Sequence, residues 1–172
     1  MIRVLKGNQK GMTLIEVLVV AALVGILSGA FSTSIFSIFR HNATSNARVT
    51  AACGTEEAAY WVSRDGQMSQ TTDLVPGGPP VSTVTFSWTE PDTGDAYDID
   101  YFLSGEDLRR RETVNADPPS ERTVARNILG IEFSQPASDD RLFTANITAS
   151  GGGHLDLNET REYHVVLRAE SH

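Results

Sequence analysis

One acid stands where acids are costly. Glu16 falls inside the run Met12-Thr13-Leu14-Ile15-Glu16-Val17-Leu18-Val19-Val20-Ala21-Ala22-Leu23, and no further charge appears before Arg40. A carboxylate at the centre of a bilayer costs about 2.5–3.5 kcal/mol on insertion scales, and less near an edge. Such an acid is a functional hypothesis by default, and its chemistry is ion pairing. In low dielectric a cationic partner is worth far more than at a surface, and an unpaired charge is very costly.

Other chemistry-bearing residues carry weaker signals. Asp92, Asp95, Asp98 and Asp100 cluster in sequence, and oxygen-rich loops can hold calcium. Their spacing is not that of an EF-hand, and Asp98 and Asp100 fit the polar face of a strand, so a solvated turn is expected and no metal or cofactor is assigned. Arg109-Arg110-Arg111 could meet an anion, but strand alternation sends Arg110 to the opposite face from its neighbours. A charged edge strand that resists aggregation is the expectation there. Cys53 reads as a small apolar residue of a helix. His41, His154, His164 and His172 show no paired ligand spacing. The sequence contains no Gly-x-Ser-x-Gly, no phosphate loop and no His-Glu-x-x-His, so it is read as non-enzymatic.

The elements that position Glu16 come next. The apolar stretch continues through Gly25-Ile26-Leu27 to Ile35, Phe36, Ile38 and Phe39, long enough to cross about 30 Å of hydrocarbon as a helix. Arg3, Lys6 and Lys10 precede it and favour an inside N-terminus, although Arg40 and Arg48 follow closely. Three readings are compatible with such a segment. It could be a secretory signal peptide cut after Ser28-Gly29-Ala30, before Phe31. It could be a plain single-span anchor. Neither of these has a use for Glu16; the third reading does.

Lys10-Gly11-Met12-Thr13-Leu14-Ile15-Glu16-Val17-Leu18-Val19-Val20 resembles the processing site of type IV prepilins and type II secretion pseudopilins. The resemblance implies cleavage by a prepilin peptidase between Gly11 and Met12 and N-methylation of Met12. It also implies that Glu16 meets the N-terminal amine of a neighbouring subunit. Many members begin the mature chain with Phe, where this one has Met12. The implied partners are other pilin or pseudopilin subunits, the prepilin peptidase, an assembly platform membrane protein and its ATPase. The implied location is the cytoplasmic membrane, single-pass with the C-terminal domain outside, and then a periplasmic or cell-surface fibre.

The remaining chain supplies the body. Length and composition set its limits: 172 residues, 40% hydrophobic, 21% charged, one cysteine and net charge -8. That suits one modest core with an appendage. It excludes a disulfide framework, a multi-cysteine zinc site and wholesale disorder. A pI near 4.9 argues against direct nucleic-acid binding. No proline interrupts residues 40–68, where Val49, Ala52, Cys53, Glu56, Ala59 and Tyr60 share one helical arc. A helix from Thr13 to about Met68 is expected, with that arc facing a domain. After Pro76-Gly77-Gly78-Pro79-Pro80 the period becomes two: Val84/Phe86/Trp88, Tyr97/Ile99/Tyr101/Leu103, Leu108–Val114, Leu129/Ile131/Phe133, Phe143/Ala145/Ile147 and Tyr163/Val165/Leu167. Glu90–Ala96 and Ser104–Asp107 read as turns, Thr123–Asn127 as a short helix, and Gly151–Gly153 as a loop.

The expected fold is therefore α+β and pilin-like: a long N-terminal helix, apolar then amphipathic, packed on a mostly antiparallel sheet domain. The expected segments are a leader at 1–11, a membrane and fibre-core helix at 12–39, an amphipathic half at 40–75 and a β-rich domain at 76–172. The passages Tyr101-Phe102-Leu103-Ser104-Gly105-Glu106-Asp107-Leu108-Arg109-Arg110 and Asn127–Phe133 are similar to those of J-type minor pseudopilins and related minor pilins. The rival expectation is a secreted or anchored β-rich binding domain whose N-terminus only mimics a prepilin.

Overall fold

The computed structural model describes residues 13–152 and 157–168. Gly11, Met12, Gly153, His154 and His172 lie outside them. The chain divides into two compact units, Met1–Ala43 and Thr44–His172. A single helix, α1 (Leu14–Met68), contributes to both.

In the first unit every described helical residue is exposed. Ser32, Thr33 and Ser34 turn their hydroxyls back onto the carbonyls of Ser28 and Ala30, at 2.9–3.0 Å. These three hydroxyls are satisfied within the helix, which lowers the cost of placing them in a hydrocarbon environment.

The second unit packs the rest of α1 on eight strands: β1 (Thr71–Thr72), β2 (Val84–Thr89), β3 (Ala96–Ser104), β4 (Asp107–Val114), β5 (Ser120–Ala125), β6 (Ile128–Ser134), β7 (Leu142–Ser150) and β8 (Asn158–Val166). They form two antiparallel sheets, β1-β2-β3-β4-β5 and β6-β7-β8. Alternation decides what is inside. Val84, Phe86, Ile99, Tyr101 and Leu108 bury from the first sheet, and Ile131, Phe133, Phe143, Ala145 and Ile147 from the second. Phe86 stands at the meeting point, with ring centroids 5.9 Å from Tyr101 and 5.1 Å from Phe143.

Several expectations need correction. Thr123–Asn127 is no helix; its first three residues end β5, and Arg126-Asn127 turn the chain, with Asn127 at φ 58°. β4 is not an edge strand, because β3 and β5 flank it. Leu129 does not share the inward face of Ile131 and Phe133: a register shift between Ile128 and Gly130 turns it out and buries Ile128 instead. Gly151 is more than a loop residue. A Cβ there would sit 2.5 Å from the Ala47 carbonyl oxygen, so the strand end passes against α1 at glycine-only distance.

The largest correction concerns the helix face. The arc of Val49, Cys53, Glu56 and Tyr60 is exposed, Ala52 is half-buried, and only Ala59 of that set is buried. The buried stripe is Ala47, Ala51, Gly54, Thr55, Ala58, Ala59, Val62, Asp65 and Gly66. Its spacing is helical, but its residues are small. α1 lies so close to the sheets that bulk is excluded: a Cβ on Gly66 would come within 2.7 Å of the Phe143 ring.

Candidate processing and assembly segment

The first turn of α1 is built by Thr13. The Glu16 N–H donates to the Thr13 carbonyl at 3.0 Å, and its contact with Thr13 Oγ1 is 3.4 Å. Thr13 thus caps the helix, and Thr-x-x-Glu is the capping-box spacing. Sequence reasoning misses this signal, although the spacing stands in the sequence. The cap gives Glu16 a local role, since a carboxylate in the first turn is favoured by the helix dipole. It does not use up the carboxylate. Among the described residues Glu16 is exposed and forms no ion pair.

Around it lies a continuous apolar surface, with Leu14 85% exposed and Ile15, Leu18, Leu23, Ile26, Phe31 and Phe36 also open. The helix is long and apolar enough to cross a membrane. A Cβ on Gly25 or Gly29 would meet nothing within 4 Å, so no contact within the chain requires glycine there.

The body holds one further polar cluster, and no sequence motif announces it. Asp65, on the buried face of α1, is only 1% exposed. Arg110 Nε donates to Asp65 Oδ2 at 2.5 Å, Arg110 Nη2 to Oδ1 at 3.4 Å, and Tyr101 Oη to Oδ2 at 2.6 Å. Arg110 also pairs with Glu112. Register explains the convergence: Tyr101 and Arg110 are directly opposed across β3 and β4, so both side chains leave the same face. The inward turn of Arg110 follows the strand alternation, leaving Arg109 and Arg111 to pair outside with Glu121. Burial and the neighbouring Asp65 carboxylate push the Tyr101 hydroxyl well above its ordinary range. Burial works against the Arg110 charge, but its hydrogen bonds to Asp65 and Glu112 outweigh it and hold the guanidinium above its usual value. The cluster clamps helix to sheet.

The acidic run is dispersed. Ser87 donates to Asp98 at 2.6 Å and Thr85 to Asp100 at 3.0 Å, both on β3. Asp95 accepts from Asn115 at 2.5 Å, and this bond, with help from Thr93, lowers its pKa below the ordinary aspartate value. Among the described residues no group of three or more His, Cys, Asp or Glu side chains could hold a metal ion. His164 sits on the exposed side of β8 beside Thr144, at 3.1 Å.

A long N-terminal helix followed by antiparallel sheets defines an α+β, pilin-like architecture. Residues 6–32 match the prokaryotic N-terminal methylation motif, which spans Gly11, Met12, Glu16 and the apolar start of α1 and supports a pilin- or pseudopilin-type precursor. No curated protein matches the chain.

Proposed function

We propose that this chain is the precursor of a minor pilin or pseudopilin. The observation that carries the reading is the methylation motif over residues 6–32, continuous with a helix whose first unit exposes its apolar surface on every side. A prepilin peptidase cuts between Gly11 and Met12 and methylates the new amine of Met12. The helix holds the protein in the cytoplasmic membrane, with the sheet domain outside, until it is drawn into a fibre by a platform protein and its ATPase. There Glu16 meets the methylated amine of a neighbouring subunit. The carboxylate in the first helical turn, exposed and without an ion pair among the described residues, supports that role, since the pairing offsets the cost of placing it in an apolar setting. The order of the β3–β4 and β6 passages supports a J-type minor pseudopilin or related minor pilin, in a type II secretion pseudopilus or a type IV pilus.

Mass spectrometry of the N-terminal peptide from membrane-extracted protein tests the processing step. The expected first residue is N-methylated Met12. A start at Phe31 would leave a secreted β-rich binding domain and remove any assembly role for Glu16. Glu16→Ala tests the rest: cleavage proceeds and fibre incorporation falls at least about tenfold, the size expected from losing a buried charge pair. Normal incorporation of the variant would overturn the assembly role.

A further inference from the structure

The first turn of α1 uses its donors in a way that bears on the bond just ahead of it. Thr13 lies outside the helix, which begins at Leu14. The Thr13 carbonyl accepts the first full helical bond, from the Val17 N–H at 3.3 Å, and also the Glu16 N–H at 3.0 Å. Thr13 Oγ1 stands 3.4 Å from that same Glu16 nitrogen. An N-cap residue stops a helix in this manner: its carbonyl joins the ladder while its side chain offers an acceptor to a donor of the first turn. Thr13 is exposed, so no packing in the body calls for threonine there.

Those donors have a competing use. Were α1 to run on toward the N-terminus, each N–H would pass to the carbonyl four residues back. Glu16 would then donate to Met12, and Ile15 to Gly11. The Gly11 carbonyl is the electrophile of the proposed cut. Inside a helix such a carbonyl is engaged by its ladder bond and flanked by the next turn, so a peptidase must unwind it before attack. The Glu16 N–H that an extended helix needs is already taken by Thr13. Gly11, a poor helix former, opposes extension from the other side of the bond.

We propose that Thr13 is a positioning residue for processing: by ending α1 just after the Gly11–Met12 bond, it keeps the Gly11 carbonyl out of the helical ladder and open to the peptidase. The inference rests on the processing reading and adds a determinant to it. Thr13 acts through the helix start and not through contact with the enzyme. Any residue that caps should therefore serve in its place, and a residue of the same shape that cannot cap should not. Direct recognition of the Thr13 side chain by the peptidase predicts the reverse order, with valine, the closest match in shape, cut best.

Initial rates of cleavage of the detergent-solubilised full chain by purified prepilin peptidase test it. Thr13→Val and Thr13→Ala should be cut about two- to fivefold more slowly than wild type, the shift expected in a helix-start equilibrium on losing a cap. Thr13→Ser and Thr13→Asn should be cut at the wild-type rate, since both cap. Amide exchange on the uncut chains gives a second readout: the Ile15 N–H should be better protected in Thr13→Val than in wild type, because it gains the Gly11 carbonyl. No cleavage of the wild-type chain would remove the processing reading and this inference with it. A wild-type chain that is cut, with Thr13→Val and Thr13→Ala cut equally fast or Thr13→Asn as slow as Thr13→Val, would overturn the role of Thr13 and leave the processing reading standing.

Discussion

The Asp65 carboxylate is the residue on which the body of the molecule is hung. It is buried with one full cation, Arg110, and one hydroxyl, Tyr101, both aimed at it by strand register. Taking charges out of water is expensive, and a buried pair contributes little over apolar residues of similar size. Breaking the pair is another matter, because the surviving charge stays buried. Asp65→Ala should therefore cost about 3–5 kcal/mol, while Asp65→Leu combined with Arg110→Met should cost less than Asp65→Ala alone. Urea unfolding of the detergent-solubilised chain, followed by the emission of Trp61 and Trp88, measures both. A loss below about 1 kcal/mol for Asp65→Ala would mean that the cluster is not a clamp. Glu16 is the opposite case among the acids: exposed, capping its own helix, and left without an ion-pair partner among the described residues.

At the scale of elements, α1 carries two stripes in its second unit, and the hydrophobic one is outside. Val49 and Tyr60 are 61% and 62% exposed, while glycine, alanine and threonine face the sheets. Gly66→Ala drives a methyl into the Phe143 ring. Overpacking of that kind costs about 1–3 kcal/mol, partly offset by up to about 1 kcal/mol of improved helix propensity. A net loss of about 1–2 kcal/mol is expected, against a change within about 0.5 kcal/mol for Val49→Ala on the open face. The same urea titration decides it, and equal effects at the two positions would return the helix to its apolar arc. The contrast shows what is legible in a sequence. Periodicity fixes the helix and the strands at Val84–Trp88, Tyr97–Leu103 and Phe143–Ile147, because each buries one face of an alternating run. It misplaces the helix face because it weighs hydrophobicity and not size, and distance of approach is a tertiary property. It misreads Thr123–Asn127 because pairing with β4, not local propensity, makes that segment a strand. The Asp65–Tyr101–Arg110 cluster is invisible for a related reason: 36 and 45 residues separate its partners from Asp65, and only register joins them. The N-terminal methylation motif is legible because its residues are contiguous.

Across the whole molecule, the distribution of charge gives processing a chemical signature. Both lysines, Lys6 and Lys10, precede Gly11, and every later basic side chain of the sequence is arginine, histidine aside. The proposed cleavage after Gly11 would remove three of fourteen positive side chains and none of the twenty-two acids, moving the formal charge from -8 to -11. In the proposed fibre such a surface would repel its own copies at low salt, and the proposed short-range contacts, apolar helix on apolar helix and Glu16 on an amine, would have to hold subunits together against it. The same cleavage changes the count of primary amines. Residues 1–11 hold two lysine amines, Lys6 and Lys10, and residues 12–172 hold none. The proposed cut would expose one new primary amine, at Met12, and N-methylation would turn it into a secondary amine, leaving none within residues 12–172. Fluorescamine, which becomes fluorescent with primary amines, should therefore label protein from cells lacking the peptidase and fail to label the mature protein. Blocking the methyl transfer alone should restore a single label, which N-terminal sequencing would place at Met12. One label at Phe31 in wild-type cells would mean signal-peptide removal. Labels on Lys6 and Lys10 in peptidase-containing cells would mean that the motif is not cut, and Glu16 would then sit in an anchor with no processed amine to meet.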